Sequence, residues 1–162
     1  QIDPAFTMEM GREIARLFAQ SGASKILTIE TSGIPLAFAA GVALQIPVVF
    51  AKKSRSSNLG ADVYAARVQS YTHQQTYEAV VERAYLSKKD CLLLIDDFLA
   101  NGEALLGLLS LASSAGAKVC GAAVAIEKAF QGGGEKIRGM GVRVESLARI
   151  ASMTDHSLQF AH

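Results

Sequence analysis

A chain of 162 residues, half of them hydrophobic and 19% charged, has the length and apolar content of one folded domain and excludes a disordered one. Its net charge of +1 leaves no electrostatic footprint for nucleic acid, and the longest basic cluster, Lys52-Lys53-Ser54-Arg55, is too short for a polybasic patch. No apolar run reaches membrane-spanning length and none near the start has the form of a signal peptide, so a cytoplasmic setting with no membrane partner is expected.

In chain order, Asp3 caps a first helix and Pro4 fills its first turn. Phe6, Met10, Ile14, Leu17 and Phe18 recur at helical spacing, and Gly22 closes the segment. Residues 25–29 (KILTI) read as a short strand, followed by a loop at Glu30, Thr31, Ser32 and Gly33. Residues 35–44 form a helix rich in small residues, and 47–50 (PVVF) a second strand. From Lys52 to about Asp62 the sequence turns polar and reads as a loop. Residues 63–71 and 77–85 predict a hairpin.

Residues 92–95 are a continuous apolar run, as in a central parallel strand. A helix over 102–114 ends at Gly116, and 119–126 is another buried strand. Three glycines at 132–134 precede a short helix ending near Gly139, then strands follow at 142–147 and 158–160. Cys91 and Cys120 lie inside apolar runs without metal or disulfide spacing and read as buried thiols. His73, His156 and His162 have no partners at ligand or triad spacing and read as surface residues. The alternation of strand and helix predicts an α/β fold with a largely parallel sheet flanked by helices, in one domain.

In such sheets ligands bind beyond the carboxyl ends of the strands. Glu30 to Gly33, Lys52 and Lys53, the segment 96–102, and Glu127 with Lys128 all follow strands, so they converge on one edge. The stretch CLLLIDDFLANGEAL (91–105) is the most pointed of these. Adjacent carboxylates repel, and an unpaired buried one is costly enough to protonate or find a partner. Two answers are open: a solvated strand end, or a site for something cationic or rich in hydroxyls. The small-residue turn that follows enters a helix, exposing unpaired N–H groups and the positive end of the helix dipole. It has no Gly-Lys-Ser/Thr and no Gly-x-Gly-x-x-Gly. A phosphate on the turn with hydroxyls on Asp96 and Asp97 spans about one ribose phosphate, and Mg²⁺ fits beside them.

Four hydrophobics, two acids and a small-residue turn resemble the phosphoribosyl pyrophosphate (PRPP) fingerprint of the type I phosphoribosyltransferases. The segments IETSGI (29–34), IDDFLANG (95–102) and AIEKAFQ (125–131), in this order, are most similar to the xanthine-using, purine-salvage members. The similarity runs to about Ile150. It implies the type I phosphoribosyltransferase fold, with a hood and a flexible loop. It also implies transfer of the 5-phosphoribosyl group from PRPP to N9 of xanthine, with Mg²⁺ accompanying PRPP, release of pyrophosphate, and a homodimer.

By the same resemblance, Asp96 and Asp97 hold the ribose hydroxyls and any metal is held indirectly, through the substrate. Ala100, Asn101, Gly102, Glu103 and Ala104 hold the 5′-phosphate, Glu103 through its backbone with its carboxylate turned to solvent. Glu30, Thr31, Ser32 and Gly33 face the pyrophosphate. Lys52 and Lys53 neutralise it, in some relatives from a neighbouring subunit. Lys128 meets the base, and the flexible loop falls within 54–72, with Ser70, Tyr71 and Thr72 near its end. Relatives carry a further N-terminal segment. This chain opens on Gln1 rather than a methionine, so a processed or partial chain lacking that segment is expected. Two other readings stay open: a guanine or hypoxanthine enzyme, and a PRPP- or purine-sensing regulator without turnover.

Overall fold

The computed structural model describes residues 2–54, 62–70, 75–154 and 157–161. Asp3 begins α1 (Pro4–Phe18) as expected, its Oδ1 accepting from the Phe6 amide at 3.1 Å. The helix ends four residues before Gly22, because the Ser21 amide turns back to the Phe18 carbonyl at 3.0 Å. Then come β1 (Lys25–Ile29), α2 (Gly33–Leu44), β2 (Val48–Ser54), and the antiparallel hairpin β3 (Val63–Ser70) and β4 (Gln75–Glu82). A short 3₁₀ turn leads into β5 (Cys91–Leu99), α3 (Glu103–Ala115), β6 (Lys118–Lys128), α4 (Gly133–Gly139), β7 (Val144–Thr154) and β8 (Ser157–Phe160).

These strands make one eight-stranded sheet in the order β3-β4-β2-β1-β5-β6-β7-β8. The five central strands are parallel, while β4 and β8 close the two sides antiparallel. Central strands buried on both faces must be apolar throughout, which is why Leu92, Leu93, Leu94 and Ile95 all lie in the core. Leu92 and Leu94 join the cluster under α3, and Leu93 and Ile95 join the one under α1 and α2. The helix α3 also lies against β3, so closely that a side chain on Gly107 would overlap Val68.

Three strands run further than the apolar pattern suggests. Lys52, Lys53 and Ser54 belong to β2 rather than to a loop, because β4 pairs with them (Lys52 with Val80, Lys53 with Ala79, Ser54 with Glu78). Asp96 and Asp97 lie within β5, held by pairing to β6 up to Leu99 and Glu127. β7 continues past residue 147 to Thr154, because β8 folds back along it. Backbone pairing is indifferent to side-chain polarity at a solvated strand end, so hydropathy alone stops each strand early. Within 54–72, residues 63–70 are strand; 55–61, Tyr71 and Thr72 lie outside the described residues, as do His73, His156 and His162. No helix among the described residues is long and apolar enough to cross a membrane.

Candidate active site

The parallel register brings the carboxyl ends of β1, β2, β5 and β6 to one edge of the sheet. There Asp96 is 5% exposed, whereas Asp97 is half-buried. The Asp97 amide donates to Asp96 Oδ1 at 3.0 Å. Burial pushes the Asp96 carboxyl up to about 8, the adjacent Asp97 charge adds to the rise, and Lys53 opposes it. A buried acid poised near neutrality beside a cavity marks a candidate functional site.

Beyond β5 the chain turns through Ala100 and Asn101 to Gly102, whose φ of +87° is readily adopted only without a side chain. α3 starts at the next residue, and its first-turn N–H groups have no acceptor within the helix. Ala100, Asn101, Gly102, Glu103 and Ala104 line a cavity of about 170 Å³ together with Lys53, Tyr77 and Phe98. The Glu103 carboxylate does not run free into solvent. It lies 3.5 Å from Lys136 Nζ of α4, which offsets its charge beside the turn.

The two lysines of β2 part company here, since successive strand residues face opposite ways. Lys53 reaches the cavity, its Nζ 5.1 Å from the centre of the Tyr77 ring. Lys52 lines a separate groove with Val63, Val80 and Tyr85. Burial, reinforced by the Asp96 charge, raises the Tyr77 phenol. Glu30, Thr31, Ser32 and Gly33 connect β1 to α2, through a cis peptide bond between Glu30 and Thr31. Glu30 accepts from the Lys53 amide, which joins this loop to β2. Below it the Thr28 hydroxyl is buried with no hydrogen-bond partner among the described residues.

Lys128 ends β6 with its Nζ 5.6 Å from the centre of the Phe98 ring, so Lys128 and the cavity share a wall. Its neighbour Glu127 is buried and bound by Arg138, Arg149 and Ser146. The structure thus gathers Asp96, Asp97, residues 100–104, Lys53, Lys128 and the loop from Glu30 to Gly33, and leaves Lys52 on another surface. Tyr77 and Phe98 join the site although the sequence reading passed over them. An aromatic directly after two acids was the available signal for Phe98; none marked Tyr77, which arrives from the hairpin. Among the described residues no three His, Cys, Asp or Glu side chains are grouped to hold a metal by themselves.

The fold and this edge define a transferase of phosphoribosyl groups: residues 4–140 match the model of the phosphoribosyl transferase domain, and the chain belongs to that family. It is 46% identical over 160 residues to the xanthine phosphoribosyltransferase of Moorella thermoacetica, covering 99% of this chain and 82% of that protein. It is 48% identical to the xanthine phosphoribosyltransferase of Bacillus cereus (strain AH187), with 99% and 81% covered. Among solved structures it is similar to the Giardia lamblia APRTase complexed with 9-deazaadenine, with a TM-score of 0.80, 26% identity and 90% and 80% of the two chains covered. The Trypanosoma brucei adenine phosphoribosyl transferase shares the fold, with a TM-score of 0.79 at 18% identity, over 95% and 68% of the two chains.

Proposed function

We propose that this protein transfers the 5-phosphoribosyl group of PRPP to N9 of xanthine, releasing pyrophosphate and forming xanthosine monophosphate in purine salvage. One observation carries the reading: Asp96 and Asp97 stand at the head of the turn 100–104, on one edge with Lys53 and Lys128. The two relatives at 46% and 48% identity, both named for xanthine, support the choice of base.

In this reading the turn binds the 5′-phosphate with backbone N–H groups and the α3 dipole. Asp96 and Asp97 hold the ribose hydroxyls, and the loop from Glu30 to Gly33 with Lys53 receives the pyrophosphate. Lys128 donates to the oxo group at C6 of the base. The bond from ribose C1 to pyrophosphate loosens before the bond to N9 completes, leaving a cationic, oxocarbenium-like ribose. No protein nucleophile is needed, so the chain acts by position and field.

Two adjacent carboxylates, with no third ligand grouped beside them among the described residues, suit Mg²⁺ carried by its substrate, which is commonly held by one or two carboxylates plus phosphates. When bound with PRPP, Mg²⁺ neutralises charge on the departing pyrophosphate. A homodimer is part of the same reading, and it gives Lys52, on its separate surface, a route to a neighbouring subunit.

A turnover assay with PRPP, Mg²⁺ and a panel of bases tests the proposal. Xanthine is expected to be used best, and adenine hardly at all. Preference for guanine or hypoxanthine would reassign the base, and PRPP binding without turnover would make the protein a sensor.

A further inference from the structure

Glu127 is 1% exposed, and the chemistry above gives it no task. An unpaired carboxylate is prohibitive at such burial, so its surroundings must hold it. Arg138 of α4 grips both oxygens, Nη1 to Oε1 at 2.8 Å and Nη2 to Oε2 at 2.7 Å. Ser146 Oγ and Arg149 Nε, both from β7, donate to Oε2 at 2.6 and 3.1 Å. These partners hold the carboxyl down at about 2, well below the usual carboxylate range. Two guanidiniums against one carboxylate leave excess positive charge, which Glu135 offsets from 3.7 and 3.6 Å.

The position of this anchor gives it a consequence for the site. In register, Glu127 lies beside Leu99, the residue from which the phosphate turn departs. Lys128 is the next residue along β6. The third neighbour is α4, through two consecutive glycines. A side chain on Gly134 would overlap Glu127 Oε1, and one on Gly133 would overlap the Ala100 carbonyl. The Gly133 amide instead donates to that carbonyl at 3.1 Å. One residue of α4 therefore rests on the buried carboxylate and its neighbour rests on the turn.

We propose that Glu127 is a positioning residue: through Arg138 and the glycines of α4 it holds the turn at 100–102 in fixed relation to Lys128. The inference rests on reading that turn as the 5′-phosphate site. Loss of the two-point grip frees α4, and the Gly133 amide then no longer fixes the Ala100 carbonyl. The phosphate and base ends of the site lose their common frame.

The test compares Arg138→Lys and Glu127→Gln with the wild type in thermal midpoint, steady-state kinetics and calorimetric PRPP binding. Lysine keeps the charge of Arg138 but cannot reproduce its fork. Because one poorly aligned charge-assisted hydrogen bond to phosphate is enough for about tenfold in affinity, the PRPP KM and Kd of Arg138→Lys should rise roughly tenfold or more. Its thermal midpoint should fall only modestly, because Ser146 and Arg149 still hold Glu127. Unchanged PRPP affinity in folded Arg138→Lys overturns the proposal, and so does a loss confined to the thermal midpoint. If Glu127→Gln does not fold, Arg138→Lys decides alone. A wild type that binds PRPP without using xanthine defeats the functional reading, while the binding comparison still decides this one. A wild type that does not bind PRPP overturns both.

Discussion

Gly33, the first residue of α2, lies against the carboxylate of Asp96: a Cβ there would stand 3.1 Å from Asp96 Oδ1 and 2.5 Å from Thr28 Oγ1. The loop from Glu30 to Gly33 and the carboxylate of Asp96 are therefore in close approach, which depends on residue 33 having no side chain. Gly33→Ala should destabilise the protein by about 1–3 kcal/mol, as overpacking does, and weaken PRPP more than xanthine. Thermal unfolding and the two KM values measure both effects. An unaltered PRPP KM would refute the coupling of loop to acid.

The double variant Asp96→Asn with Asp97→Asn should fold and lose roughly 10²-fold or more in turnover, the scale seen when a positioned polar group is removed from a reaction site. The fold survives because an amide of nearly the same shape replaces a buried carboxyl that already keeps its proton near neutrality, and no buried charge is left without a partner. Circular dichroism and kcat/KM check the two halves. Wild-type turnover in the folded variant would remove these residues from the chemistry.

Asp96 also makes stability depend on pH in an unusual direction. Its folded carboxyl keeps its proton up to about 8, whereas in the unfolded chain it ionises near its ordinary 3.8. Between those values the folded state binds the extra proton. The contribution is therefore complete below 3.8 and is lost as pH rises through 8. Asp96→Asn has no such proton to lose, so its Tm should overtake that of the wild type as pH is raised from about 5 to about 9. Parallel Tm curves for the two proteins across that range would contradict the buried acid.

Lys128 offers donors only, which suits the oxo group at C6 of xanthine and leaves the amine of adenine unmatched. Two donors facing each other cost on the order of 1–3 kcal/mol. Lys128→Ala should cut xanthine turnover far more than PRPP binding and narrow the gap between xanthine and adenine. An unchanged ratio of xanthine to adenine turnover would show that something else reads C6.

The neighbouring lysines of β2 give a sharper contrast. Lys53→Ala should raise the PRPP KM, since Lys53 stands at the cavity beside Tyr77 and opposes the rise at Asp96. Lys52→Ala should leave a subunit's own site intact and act only where a neighbouring subunit receives it. Kinetics at protein concentrations above and below assembly distinguish the two. Equal effects at every concentration would discard the assignment.

The sequence announces the sheet because its central strands are buried on both faces, so 92–95 cannot be anything but apolar. It marks 100–104 as a turn able to take a phosphate because a small-residue loop entering a helix exposes unpaired N–H groups, and the family resemblance implies that the phosphate is the 5′-phosphate of PRPP. It does not announce which lysine of β2 faces the site. That depends on strand pairing with β4, a long-range contact that makes Lys52 and Lys53 alternate where hydropathy shows only a polar stretch. Tyr77 was hidden for the same reason. Glu127 was hidden for another: its partners come from α4 and β7, and nothing local in 125–131 shows that Arg138 and Arg149 close over it.

The overlap that forbids a side chain on Gly107 beside Val68 means that α3 is held against the hairpin close to the start of the helix. The same helix begins at the turn 100–104, about one helical turn before Gly107, and Val68 and Tyr77 of the hairpin line the same cavity as that turn. A local opening that peels β3 from the helix must loosen the turn as well. Amide hydrogens of β3 and of the first turn of α3 then exchange with solvent as one cooperative unit, and an anion seated on the turn slows both together.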